Sequence, residues 1–264
     1  MNIKRIFFLT GLIIVFICLS ILFAGEKDLK EKRSTHFIVY YENKVDIDFI
    51  DEVIEESERY YEQIADNLGF YRHNFWLWDD RAKIYIYLDK DSYLKATDQP
   101  SWSGGCADYR NKKLWTYPHA AGFFDSILPH ELAHIIFREF VGFGNDIPLW
   151  FEEGIASYTE GSKRFAAKTI VKDLISKNKL LTLEQLSNVN KPHDLDKDTA
   201  EAFYAQAVSI AYFLINNFKK DRFVTLCRRL KEGKSLDSAL DKTYYEFDGI
   251  SGLYKKWLQY INAR

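Results

Sequence analysis

The chain has 264 residues, with 36 Lys+Arg against 38 Asp+Glu, 47% hydrophobic residues and only 5 prolines. That length buries a sizeable core without disulfide staples, and the composition is too apolar for a disordered or fibrous protein. A formal charge of −2 argues against nucleic acid as a partner, since electrostatic binding to phosphates takes a clustered excess of Lys and Arg.

Residues 6–24 are uncharged, follow Lys4 and Arg5, and end at Glu26 and Lys27. Such a run is a signal peptide or a membrane anchor, close to the length that crosses a bilayer as one helix. Leu22 is bulkier than the residue usual two positions before a cleavage after Ala24, which favours an uncleaved anchor over a secreted product. The basic flank then stays in the cytoplasm and the remainder works outside it. Residues 25–35 read as a charged tether that also suits anionic headgroups. Cys106 and Cys227 are too few for a disulfide framework and read as buried or isolated thiols, a single bridge between them being the alternative on the oxidising side of a membrane.

Residues 36–41, HFIVYY, have strand composition without a helical period. Residues 46–68 space Ile50, Val53, Ile54, Tyr60, Tyr61, Ile64 and Ala65 at three and four, as an amphipathic helix does. Residues 83–88, KIYIYL, alternate like a half-buried strand, and 101–118 hold a turn at Gly104 and Gly105 followed by a polar hairpin-like stretch. Helices dominate from Phe123. Asp125 or Ser126 can cap a first one that tolerates Pro129 in its opening turn; Asp146 and Pro148 start a second that runs through Tyr158 and that Gly161 is positioned to stop. Further helices are expected at about 168–176, 199–218, 221–231, 236–243 and 250–262. The order implies an α+β domain over 36–264, with a few-stranded lobe at 36–160 and a helical lobe at 161–264.

The first of these helices carries His130-Glu131-Leu132-Ala133-His134. Residues four apart share a helix face, so both imidazoles can reach one zinc ion while Glu131 faces the open coordination position. Zinc lowers the pKa of a water it holds toward ~7, and a neighbouring carboxylate can take that water's proton and return it to a leaving amine. In the next helix Glu153, inside Pro148-Leu149-Trp150-Phe151-Glu152-Glu153-Gly154, supplies a third ligand if the two helices lie antiparallel across a short loop. Two histidines, one glutamate and an open position describe a catalytic rather than a structural zinc site.

These elements resemble the gluzincin metallopeptidases, in particular the peptidase MA-like domains related to the catalytic domain of M1 aminopeptidases. The resemblance rests on HELAH, on the Pro-x-Trp-x-x-Glu-Gly-x-Ala element and on the spacing between them, and it extends more loosely along 36–261, including Phe203-Tyr204-Ala205-Gln206-Ala207. It implies a thermolysin-like architecture, a zinc cofactor held by His130, His134 and Glu153, Glu131 as general base and acid, and a peptide or protein substrate. It also implies an oxyanion donor, for which Tyr204 is the candidate and His119 the runner-up. A ligand histidine usually gives its second N–H to an oxygen; Ser157, Glu152 or a backbone carbonyl could fill that role. The stretch 103–117 is expected to offer a sheet edge to an extended peptide. Where the aminopeptidases hold the substrate's amino terminus with Gly-x-Met-Glu-Asn, this chain has Gly104-Gly105-Cys106-Ala107-Asp108, which favours endopeptidase action or a peptidase specificity of another kind. A non-catalytic zinc scaffold of the same fold is the alternative.

Overall fold

The computed structural model describes residues 29–70 and 76–263, so the apolar run at 6–24 lies outside the described residues. No helix among the described residues is long and apolar enough to cross a membrane.

The alternating segments form one five-stranded sheet: β1 (Lys30–Arg33), β2 (Phe37–Tyr41), β3 (Ala82–Ile86), β4 (Gly105–Asp108) and β5 (Lys113–Thr116), in the order β1-β2-β3-β5-β4. The three inner strands are parallel, and each outer strand is antiparallel to its neighbour. Period-2 alternation divides the side chains: Phe37, Val39, Ile84, Ile86 and Leu114 enter the main core from one face. On the other face Tyr85, Cys106 and Trp115 make a smaller cluster with Tyr93, carried by a short helix that the sequence reading did not anticipate, α2 (Lys90–Thr97). β1 falls inside the stretch expected as a tether. Its sequence, KEKR, is almost wholly exposed, and charge is well tolerated on an edge strand because it discourages pairing with other chains.

Helix α1 (Ile47–Leu68) fulfils its period: Ile50, Val53, Tyr61 and Ile64 are buried, the Asp46 carboxylate accepts from the Asp48 N–H at its start, and Gly69 ends it in the left-handed region at φ 77°. The remaining helices are α3 (Leu128–Val141), α4 (Leu149–Thr159), α5 (Gly161–Ser176), α6 (Leu183–Asn188), α7 (Lys197–Asn216), α8 (Lys220–Lys231), α9 (Leu236–Asp241) and α10 (Gly249–Asn262). α6 lies outside the helices expected from the sequence, and two boundary details also differ. Gly161 opens α5 instead of only closing the helix before it, and α3 is preceded by a wide turn over Phe123–Ile127 with no side-chain cap. Ser126 has other work, described below. Cys106 and Cys227 are both buried, and neither is in a disulfide. One core joins the sheet, α1, the pair α3–α4 and the later helices, with α7 buried along most of its length beside α4 and α5.

Candidate metal centre

His130 and His134 lie one turn apart on α3 and are fully buried, with their Nε2 atoms 3.1 Å apart. α4 returns antiparallel to α3, and the pair is tied at both ends. The Thr159 hydroxyl at the end of α4 donates to the Pro129 carbonyl at 3.0 Å, while Arg138 donates to the Asn145 carbonyl in the connecting loop at 3.1 Å. This alignment brings one Glu153 oxygen to 3.4 Å from His130 Nε2 and the other to 3.7 Å from His134 Nε2. Gly154 makes the approach possible from behind. A Cβ there would lie 2.4 Å from the Ala207 carbonyl oxygen of α7, so only glycine allows the two helices to meet this closely.

The three residues fit a metal. Their candidate ligand atoms lie within 4.8 Å of one another, and separations of 3.1, 3.4 and 3.7 Å bracket the roughly 3.4 Å between ligands of a four-coordinate zinc with ~2.1 Å bonds. The firmer indication is Glu153 itself: it is 0% exposed and neither carboxylate oxygen has a hydrogen-bond partner. Burying an ionised carboxylate without compensation costs several kcal/mol. A cation shared with the two imidazoles removes that cost.

Around this centre the outward ring nitrogens are held by two further acids. His130 Nδ1 lies 2.9 Å from Glu160, which also takes Lys163 Nζ at 2.9 Å and the Ser126 hydroxyl. His134 Nδ1 lies 3.3 Å from Glu152, which Arg138 grips with two N–H groups at 2.8 and 2.5 Å. Burial opposes ionisation of Glu152, but the bonds from His134 and Arg138 outweigh it and bring its pKa down to about 2. Glu160 is likewise held below the carboxylate range despite burial, chiefly by Lys163 and His130. Burial also disfavours a charged His130, yet the carboxylates of Glu153 and Glu160 beside it push its pKa up to about 10. Without a metal, the site attracts positive charge to the place where an ion would sit.

Of the oxygens weighed from the sequence for the histidine rings, Glu152 is used, and Ser157 Oγ is buried with no partner. Glu160 was not foreseen; its only signal is an acid directly before Gly161, and its partner His130 is 30 residues away. Glu131 is 2% exposed and burial raises its pKa against the pull of the two imidazoles. Its Oε2 accepts from the Tyr109 hydroxyl at 2.9 Å, a contact that no spacing in the sequence announces. The Tyr109 ring stacks on that of His134, with centroids 4.7 Å apart. Tyr204 is buried at the same centre: burial, then the charges of Glu153, Glu160 and Glu131, keep its hydroxyl protonated well above the usual tyrosine range. His119 is exposed, and its ring neighbour is Phe49 at 6.5 Å. Strand β4 is the sheet edge nearest the centre; Gly104 and Gly105 let it pack on Ile127, just before α3, where added Cβ atoms would come within 2.8 and 2.9 Å of that side chain.

Buried histidines, a glutamate between them without a hydrogen bond and a second glutamate alongside make a centre suited to metal-assisted hydrolysis. A search of curated proteins finds no match to this chain. The family model of the Peptidase MA superfamily matches residues 79–263, a span that contains every side chain of the centre. The chain therefore belongs to the Peptidase MA superfamily.

Proposed function

We propose that the protein is a zinc-dependent metallopeptidase of the gluzincin type that hydrolyses peptide bonds outside the cytoplasmic membrane. The observation that carries this reading is Glu153, fully buried with no hydrogen-bond partner and facing two imidazole nitrogens at 3.4 and 3.7 Å. His130, His134 and Glu153 would hold the ion, and the 19-position step from His134 to Glu153 resembles that of the M1 catalytic domains. Zinc, when bound, supplies a Lewis acid that makes water nucleophilic near neutral pH and polarises the scissile carbonyl.

The chain's own groups do the rest. Glu131 has one oxygen committed to Tyr109, which leaves the other to take the proton of the attacking water and return it to the departing nitrogen. Tyr204 stays protonated through the pH range of the reaction and donates to the developing oxyanion, a contribution of a few kcal/mol when preorganised. Glu160 and Glu152 fix the ring orientation of the two histidines. The unpaired edge of β4 aligns an extended peptide by strand addition, and the lack of a Gly-x-Met-Glu-Asn segment there supports cleavage within a chain. Residues 6–24 would export or anchor the enzyme.

The test is digestion of a mixed peptide pool, read by mass spectrometry with and without a chelator. Chelator-sensitive products are expected, and Glu131→Gln should abolish them while the metal is retained. Undiminished cleavage by Glu131→Gln overturns the assignment of the base. Absence of any chelator-sensitive product favours the second reading, a zinc-containing scaffold that has lost turnover, for which the missing amine-anchoring segment is the motive.

A further inference from the structure

Tyr109 stands immediately after the edge strand β4, and the turn that carries it is fastened to the helix of the two histidines. The Asp108 carboxylate closes the turn by accepting from the Asn111 backbone N–H at 3.1 Å and its side-chain amide at 2.7 Å. Lys112, with φ at 51°, reaches across to Glu139 of α3 at 3.0 Å, and the Arg110 guanidinium lies 5.5 Å from the Phe143 ring centre beyond the end of that helix. Tyr109 completes the attachment through its ring, stacked on His134 at 4.7 Å and 18°, and through its hydroxyl, which donates to Glu131 Oε2 at 2.9 Å.

A glutamate side chain has three rotatable bonds, and the carboxylate of Glu131 is drawn by the two imidazoles and repelled by Glu153. Those charges favour the centre without fixing which oxygen faces it, whereas a hydrogen bond to one oxygen does. Among the described residues it is the Tyr109 hydroxyl that donates to that carboxylate. Because the ring lies flat against His134, the hydroxyl reaches Glu131 from the flank of the site, alongside the imidazole.

We propose that Tyr109 is a positioning residue for Glu131: its hydroxyl selects which carboxylate oxygen faces the reacting water, and its attachment to β4 lets peptide pairing on that edge and alignment of the base share one support. This rests on the metallopeptidase reading above. It assigns Tyr109 no contact with the metal, so the hydroxyl should matter to the base and not to metal retention.

Tyr109→Phe removes only the hydroxyl and keeps the stacked ring. The expected result is a fall in kcat of roughly tenfold or more, part of the 10²–10⁴ that a positioned base contributes, with KM and zinc affinity by chelator competition both within about twofold. Affinity of the zinc-loaded protein for a short peptide hydroxamate, measured by calorimetry, should also drop, since the base accepts that ligand's proton. In a Glu131→Gln background the same Tyr109→Phe change should have no further effect on hydroxamate affinity, because the hydroxyl acts through Glu131. Wild-type kcat and hydroxamate affinity in Tyr109→Phe would overturn the proposal. So would loss of zinc in step with kcat, or an undiminished effect in the Glu131→Gln background, which would mean that Tyr109 touches the ligand directly. A wild-type protein that binds neither zinc nor hydroxamate would remove the metallopeptidase reading and this role with it; normal binding by the wild type, unchanged in Tyr109→Phe, would remove this role alone.

Discussion

On the His134 side of the centre the outer acid is Glu152, and its cation, Arg138, sits on the same helix as the histidine; on the His130 side the outer acid is Glu160, held by Lys163 of the next helix and by Ser126 of the preceding turn. Both sides orient an imidazole with a carboxylate and neutralise that carboxylate with a cation. They differ in access to water. Glu160 and Lys163 have side chains 0% and 7% exposed, against 8% and 16% for Glu152 and Arg138. Between them Glu153 has no hydrogen-bond partner and, among the described residues, no Lys or Arg, only the two imidazoles at 3.4 and 3.7 Å. The protein therefore gives each supporting acid a Lys or Arg of its own, and leaves the one acid that would meet an ion facing the imidazoles alone.

Breaking the drier side should have the largest effect. Glu160→Ala strands the Lys163 ammonium in a closed environment and is expected to cost about 3–5 kcal/mol by denaturant unfolding. Glu152→Ala should cost less, about 1–3 kcal/mol, because Arg138 keeps its bond to the Asn145 carbonyl and can reach solvent; the reverse order would mean that exposure does not set the difference. The smallest effect comes from a carboxylate outside the centre. Glu58 accepts from the His36 backbone N–H at 2.8 Å and meets its ring at 2.6 Å. Although burial raises its pKa, the bonds from Ser34 and His36 leave it below the ordinary value of 4.5. A depressed carboxylate stabilises the fold above its unfolded pKa and loses that contribution as pH falls through the folded one. Glu58→Gln should accordingly lower stability at pH 7 and flatten its decline below about pH 4.5, while leaving the ranking of the Glu160 and Glu152 variants intact. An unaltered acid limb would remove Glu58 from the account.

The parts of the fold that local rules govern were legible in advance. The amphipathic spacing of 46–68, the alternation in KIYIYL and the four-residue step between His130 and His134 each depend on neighbours within two turns or one strand. The parts that were missed depend on tertiary contact. Glu160 meets His130 across 30 positions and Tyr109 meets Glu131 across 22, and one tyrosine among 17 carries no mark of its destination. Gly161 signals a helix stop, and the chain does leave the helical conformation there, at Glu160 (φ −77°, ψ 100°), before α5 begins. β1 is not distinguishable from a tether in the sequence, because an exposed edge strand and a solvated linker share the same charged composition.

The central claim is that Glu153 and the two imidazoles complete their charge balance with a bound ion, and metal analysis tests it most directly. Elemental analysis of the purified protein and of its Glu153→Ala variant, under non-chelating conditions, should return about one zinc per folded wild-type chain and almost none in the variant. A folded wild-type protein free of metal, or a Glu153→Ala variant that keeps its full complement of zinc, would contradict it.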